Sequence, residues 1–210
     1  RSIYPRFGLN PFVAEIAQKA LKSLGKAECT AWPYPNIHAA KKAQKHCQRE
    51  SLRSKTSIVE VLGLICLIAD DKASKHAKAF WQHTGLGASS RQAAIALRKE
   101  PTANSNEAEH ARFCLRHRLA RIYGCKEEFV QLHPSGMAAL TTALEAIAKV
   151  FPNQPTLQLG FPYVDVLKLP QVIYKGSELL LNTDITFLAD ELDKRRPAAV
   201  IVELPSNPML

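Results

Sequence analysis

Residues 133–144 read HPSGMAALTTAL, and they carry the strongest single signal in the sequence. Residues 128–132, just before it, favour a strand, whereas residues 136–151 are rich in Ala and Leu and favour a helix. The free N–H groups at the start of such a helix, together with its dipole, form a site suited to a phosphate. Gly136 would let the anion approach the backbone closely. The alternative that the residues leave open is a plain strand–helix connection with Ser135 as N-cap.

The chain after residue 151 alternates between strand and helix patterns. Alternation of this kind predicts an α/β domain around a mostly parallel sheet with flanking helices. The predicted strands cover residues 156–160, 171–174, 179–181 and 198–204, and a helix is predicted over 185–195.

The first 75 or so residues have the pattern of a small α/β unit that precedes this domain. A glycine- and serine-rich segment over 82–91 predicts a loop whose backbone approaches another group closely. Residues 101–106 form a polar linker, and we place the boundary between the two parts there, at 1–105 and 106–210. Helices are predicted over 10–24, 38–50, 75–81 and 107–122, and strands over 29–32 and within 57–68.

Composition narrows the possible functions. The chain has 210 residues and a formal net charge of +9, so a nucleic-acid partner must be considered. The basic residues over 41–46 are spread at helical spacing and no nucleic-acid-binding motif accompanies them, which favours a solvated helix face. The most apolar run, residues 58–69, is too short to cross a membrane. We therefore expect neither a nucleic acid nor a membrane as partner.

Cysteine usage indicates the compartment. The five cysteines form no CxxC pair and no cluster at zinc spacing, so we predict no metal site. An odd, scattered set is typical of reduced thiols in a cytoplasmic protein.

Four motifs together resemble one family of enzymes. They are FWQHTG at 80–85 followed by SSR at 89–91, SGMAAL at 135–140, GFPYVD at 160–165, and ELPSNPML at 203–210. Their order and spacing resemble the pyridoxal 5′-phosphate (PLP)-dependent enzymes of Cys and Met metabolism, the trans-sulfuration family. The first motif is most similar to fungal-type cystathionine γ-synthases. The resemblance implies PLP-dependent transferase fold type I, the aspartate-aminotransferase-like fold. Residues 1–105 would be an amino-terminal α/β extension and 106–210 the first part of the PLP-binding large domain.

The resemblance also implies a role for individual residues. The N–H groups of Gly136 and Met137, in the turn that begins at Ser135, would hold the PLP phosphate. The ring of Tyr163 would stack on the cofactor pyridine. Its alternative is a buried tyrosine near a turn.

Two further cofactor-binding residues follow from the same resemblance. Asn207 would reach the ring hydroxyl or the substrate carboxylate from the carboxyl end of a strand; the alternative is a turn that binds nothing. Arg91 would reach the phosphate of a neighbouring subunit with its fork of donors. The family's usual Tyr-Ser-Arg is here Ser-Ser-Arg and the following Asn-Pro-Thr is absent, so a solvated surface arginine is the alternative. His133 is interpreted as a packed residue and Glu203 as a buried acid paired with a group downstream.

The catalytic residues of the resembled family fall outside this chain. Its Schiff-base lysine lies beyond the Asn-Pro motif, so we expect that lysine downstream of Leu210 and expect this chain to be inactive alone. The resemblance implies γ-replacement joining Cys to an acylated homoserine, in a homodimer or homotetramer. The alternative function is a non-catalytic α/β binding or scaffold protein with a vestigial PLP site.

Overall fold

The computed structural model describes residues 8–101, 104–173 and 176–205. Asn207 and the opening residues 1–7 lie outside the described residues. The described residues form two units, each built on a three-stranded sheet. The first contains α1 (Pro11–Leu24), β1 (Thr30–Tyr34), α2 (Ile37–Glu50), β2 (Thr56–Val61), β3 (Leu64–Ala69), α3 (Asp71–Thr84) and α4 (Ser90–Ala96). The second contains α5 (Ser105–Tyr123), a 3-10 turn (Glu127–Phe129), α6 (Gly136–Val150), β4 (Thr156–Leu159), α7 (Val164–Ile173), β5 (Ser177–Leu180), α8 (Ile185–Arg195) and β6 (Ala199–Val202).

Strand β3 lies at the centre of the first sheet and pairs antiparallel with β1 and β2. Its side chains alternate between two cores because successive residues of a strand point to opposite faces. Cys66 and Ile68 pack with α1, whereas Leu67 and Ala69 pack with α2 and α3. Burial on both faces explains why this strand is uniformly apolar. The apolar run that the sequence placed in one or two strands is thus a hairpin.

The second sheet is parallel, with β4 between β5 and β6. Helix α7 connects β4 to β5, and α8 connects β5 to β6. The predicted parallel sheet and the predicted helices α6 and α8, which precede β4 and β6, are confirmed for this unit, whereas helix α7 was not predicted. The first sheet is antiparallel, so parallel pairing does not extend over the whole chain.

Two predicted strands are wrong. Residues 128–129 end a 3-10 turn, and residues 130–132 form an irregular segment. Phe129, the last residue of the turn, is exposed. Residues 171–173 are the last residues of α7. Both segments are rich in apolar residues, but short apolar runs do not distinguish a strand from a helix or a loop until pairing partners are known.

The two units contact each other through α2 and α3 on one side and α6 and α7 on the other. Lys42 Nζ lies 2.5 Å from Glu145 Oε2, and Arg49 donates to the carbonyl of Val172 at 2.8 Å. The candidate site lies beside this boundary. None of the helices in the described part of the chain combines the length and the hydrophobicity of a membrane-spanning segment.

Candidate functional site

The first turn of α6 has the geometry expected of an anion-binding helix start. The helix begins at Gly136, as predicted, and the Oγ of Ser135 accepts a hydrogen bond from Ala138 N at 3.1 Å. Within the part of the chain that the structure describes, the N–H groups of Gly136 and Met137 have no acceptor. Gly136 is exposed, and a Cβ added to it would meet nothing within 4 Å. Space and two free donors therefore coincide at this turn.

The hydrogen bond from Ala138 N to Ser135 Oγ shows that Ser135 can be an N-cap and still belong to a phosphate-binding turn. As N-cap it satisfies the N–H of the third helical residue, Ala138, which leaves the first two N–H groups available. A serine cap and an anion site can therefore coexist at one helix start. The strand expected before the turn is absent, so the turn is positioned by other contacts.

One of these contacts comes from Gly85, at the carboxyl end of α3. Its backbone is left-handed, with φ +66°. A Cβ on Gly85 would lie 2.7 Å from Ser135 Oγ, 2.8 Å from Ala138 N and 2.9 Å from Met137 Cβ. Only glycine permits this approach without displacement of the α6 turn. The predicted close backbone approach in the segment over 82–91 is thus present, and it is made to α6.

Two neighbours of Gly85 also contact the second unit. Thr141, one turn further along α6, donates its hydroxyl to the carbonyl of Thr84 at 2.8 Å. His83 Nδ1 lies 2.8 Å from Asp165 Oδ1, in the first turn of α7. All four side chains are buried. No role was predicted for His83, Thr84 or Asp165, whose one signal in the sequence is that they lie within two of the quoted motifs.

Tyr163 lies at the carboxyl edge of the parallel sheet, between the end of β4 and the start of α7. It is half-buried, and its N–H donates to Glu203 Oε2 at 2.5 Å. Glu203 follows β6, so the two residues meet because parallel strands end on the same edge. This contact gives Glu203 an upstream partner. The expected downstream partner stays a prediction, because residues 206–210 lie outside the described residues. The predicted stacking role of Tyr163 remains a prediction, and Asn207 lies outside the described residues.

Arg91 does not lie in a loop, contrary to the prediction over 82–91. Helix α3 continues to Thr84, and α4 begins at Ser90, so Arg91 is an exposed residue in the first turn of α4. Ser89 and Gln92 form a capping box there, because each side chain accepts from the backbone of the other. That pair accounts for the helix start in a segment whose composition favoured a loop. His133 is half-buried, next to the α6 turn.

Comparison with known proteins supports one family. Residues 12–89 match the model of the fungal trans-sulfuration enzyme N-terminal domain. Over a 225-residue alignment the chain is 28% identical to an L-2-amino-4-chloropent-4-enoate dechlorinase/desaturase of Streptantibioticus cattleyicolor. This alignment covers 99% of the chain and 44% of that relative, so the chain spans less than half of the relative's length. No solved structure matches the chain.

These findings support a trans-sulfuration type of enzyme as the class to which the chain is related. They support no particular activity within that class. The family match ends at residue 89, a few residues past the His83–Gly85 contacts, and so includes the segment that packs on the α6 turn.

Proposed function

We propose that the protein is a PLP-dependent enzyme of the trans-sulfuration type, with the aspartate-aminotransferase-like fold type I in its second unit. The match of residues 12–89 to the fungal trans-sulfuration N-terminal domain carries this proposal. The parallel sheet with connecting helices and the four ordered motifs support it.

The described residues fit a PLP phosphate at the α6 turn. Gly136 and Met137 would donate their free N–H groups, and the helix dipole would add a partial positive charge. Tyr163 would orient the pyridine ring from the carboxyl edge of the sheet, its backbone held by Glu203. The bound cofactor would supply an electron sink, while the residues of this chain bind and orient it.

The reaction that we propose is γ-replacement, in which the thiol of Cys displaces the acyloxy group from the γ-carbon of an O-acylated homoserine; a carboxylate leaves and cystathionine forms. The similarity of residues 80–91 to fungal-type cystathionine γ-synthases supports this choice. The name of the curated relative places chlorine on carbon 4 of an amino acid, which is the γ-carbon. An activated homoserine also carries its leaving group on the γ-carbon. The relative's substrate and the proposed substrate therefore share a leaving group at the same carbon.

A direct assay tests the proposal. The protein from the complete reading frame would be incubated with PLP, Cys and an O-acylated homoserine, and cystathionine measured by mass spectrometry. A parallel reaction with the chlorinated amino acid would be followed by chloride release, because the relative favours dechlorination as a second candidate. Cystathionine without chloride supports the synthase. Neither product, with no spectral change on addition of PLP, would favour a binding or scaffold protein with a vestigial site.

We further propose that Arg91 acts across a subunit interface in a homodimer or homotetramer. Its exposed position on α4 is compatible with contact to another chain. Mixing Arg91→Ala subunits with subunits that lack the downstream lysine tests this, since a residue acting in trans leaves one intact site per hybrid dimer. Recovery of activity supports the proposal, and no recovery despite subunit exchange contradicts it.

A further inference from the structure

We propose that three consecutive residues, His83, Thr84 and Gly85, are positioning residues that hold the phosphate-binding turn of α6 and the Tyr163 segment at a fixed separation. We call these residues the α3 terminus. The inference rests on the proposed function, because it concerns the geometry of the same PLP site. It assigns a role to the first unit that none of the motif-based predictions contained.

Gly85 sets the position of the α6 turn by direct contact. Atoms of Ser135, Met137 and Ala138 lie within 3 Å of where a Cβ on Gly85 would stand, on the turn whose first two N–H groups are free. Any side chain at Gly85 would therefore displace the donors of the phosphate site.

Thr84 holds the next turn of α6 against the end of α3 by a hydrogen bond. Its carbonyl belongs to the last turn of α3, where carbonyls have no partner within the helix. Thr141 Oγ1 supplies that partner at 2.8 Å, and both threonines are fully buried. Loss of the hydroxyl would leave a buried carbonyl without its donor, so the turn would be free to shift.

His83 extends the connection to the start of α7. Its Nδ1 lies 2.8 Å from Asp165 Oδ1, two residues after Tyr163. Both residues are less than a tenth exposed, so little solvent competes with the contact. The histidine is in the last turn of α3 and the aspartate in the first turn of α7, so the contact joins the end of one helix to the start of the other.

These contacts differ from the others at the boundary between the units. Lys42 and Glu145 also join the two units, but Glu145 lies near the far end of α6 and its partner is half exposed. That pair can hold the units together without defining the α6 turn. It therefore provides a matched control for general loosening of the boundary.

The experiment compares binding of PLP with binding of pyridoxal, which lacks the phosphate, to the protein from the complete reading frame. Affinities would be measured by absorbance titration, and folding by circular dichroism. Thr141→Val keeps the shape but removes the donor, and we expect it to weaken PLP about ten-fold, equivalent to about 1.4 kcal/mol, with little effect on pyridoxal. Thr141→Ser restores the donor and should restore the PLP-to-pyridoxal ratio. Asp165→Asn should weaken both ligands, because the pyridine contact with Tyr163 is common to them.

Gly85→Ala is a second test, and Gly25→Ala is its control. Both glycines have a left-handed backbone, but an added Cβ at Gly25 (φ +62°) would meet nothing within 4 Å. We expect a reduced PLP-to-pyridoxal ratio only for Gly85→Ala. An unchanged ratio in Thr141→Val, or an equal change in Lys42→Met, would overturn the inference. A wild-type protein that binds PLP no better than pyridoxal would instead overturn the proposed function, and the inference with it.

Discussion

The two units of this chain bury their apolar residues to very different extents. In the first unit, both faces of the sheet are covered, by α1 and α4 on one side and by α2 and α3 on the other. In the second unit, α5 buries only Ala120 of its 19 residues, and β6 leaves Val200 and Val202 exposed. A parallel sheet is normally buried on both faces. The sheet of the first unit is therefore covered on both faces, whereas the second unit presents apolar surface of the kind found at contact sites.

The candidate site lies where these two kinds of packing meet. Its donors belong to the less buried unit, but the residues that position them belong to the well-packed one. The predictions that follow test this contrast between the units.

Thiol reactivity should show the largest contrast. Burial raises the pKa of Cys47 to about 11 and that of Cys66 to about 12, from 9.0. Their thiolate populations at pH 8 are thus about 100- to 1,000-fold lower than those of ordinary thiols. Cys114 and Cys125 in the second unit are exposed. We expect iodoacetamide followed by peptide mapping to label the latter two quickly and the former two only after denaturation. Rapid labelling of Cys66 under native conditions would contradict the packing described for the first unit.

Truncation of a buried leucine in the first unit should cost much more stability than truncation of an exposed leucine in the second. Leu67 is fully buried in the central strand, and Leu67→Ala should lower the free energy of unfolding by about 3 kcal/mol. Leu181→Ala is the matched control, because that leucine is 60% exposed, and its effect should stay within about 0.5 kcal/mol. Urea denaturation measures both. Equal losses would contradict the burial of Leu67 in the central strand.

The boundary between the units should be sensitive to pH through His46. Burial first, and then Arg49, lower the pKa of His46 to about 4 from 6.5. Arg49 donates to His46 Nδ1 at 3.1 Å and to the carbonyl of Val172 in α7, so the neutral ring is the form that fits. The other charged or titratable neighbours are Glu50 on α2 and His76 on α3.

The sign of this effect follows from proton uptake. Between pH 6.5 and 4 the unfolded chain binds a proton at His46 that the folded protein does not, so stability falls as the pH is lowered. We expect a loss of about 2 kcal/mol between pH 8 and pH 5. The pKa of Glu50 is lowered by Arg49, and its contribution is lost only below about pH 4.5. His46→Asn should flatten the dependence measured by urea denaturation. A variant that keeps the full slope would assign it to another group.

The ion pair between Lys42 and Glu145 should have the smallest effect. Lys42 is 45% exposed and Glu145 24% exposed, so solvent screens the pair. Lys42→Met should cost less than about 1 kcal/mol of stability. Thermal denaturation at low and high salt measures this, with salt reducing the difference. A loss several times larger would mean that this pair, rather than the α3 terminus, dominates the boundary.

Local patterns were sufficient for most helices and for the parallel strands. Helix α8 was predicted with its observed bounds, because Asp184 caps it and an apolar face repeats at helical spacing. The start of α6 at Gly136 followed from Ser135 and the Gly in the turn. The segment over 128–132 failed because strand formation depends on a partner elsewhere in the chain, which no local pattern records.

For the candidate site, the sequence by itself determined which donors are free and which residues end the strands. Helix starts and strand ends are local properties of caps, glycines and apolar spacing. Only the tertiary structure brought Glu203 to the N–H of Tyr163, and Gly85, Thr84 and His83 to α6 and α7. The hydrogen-bonded pairs among these contacts are 40 to 82 positions apart in the sequence. Strand pairing within the second unit decides the first of these contacts, and packing between the two units decides the others; local sequence patterns record neither.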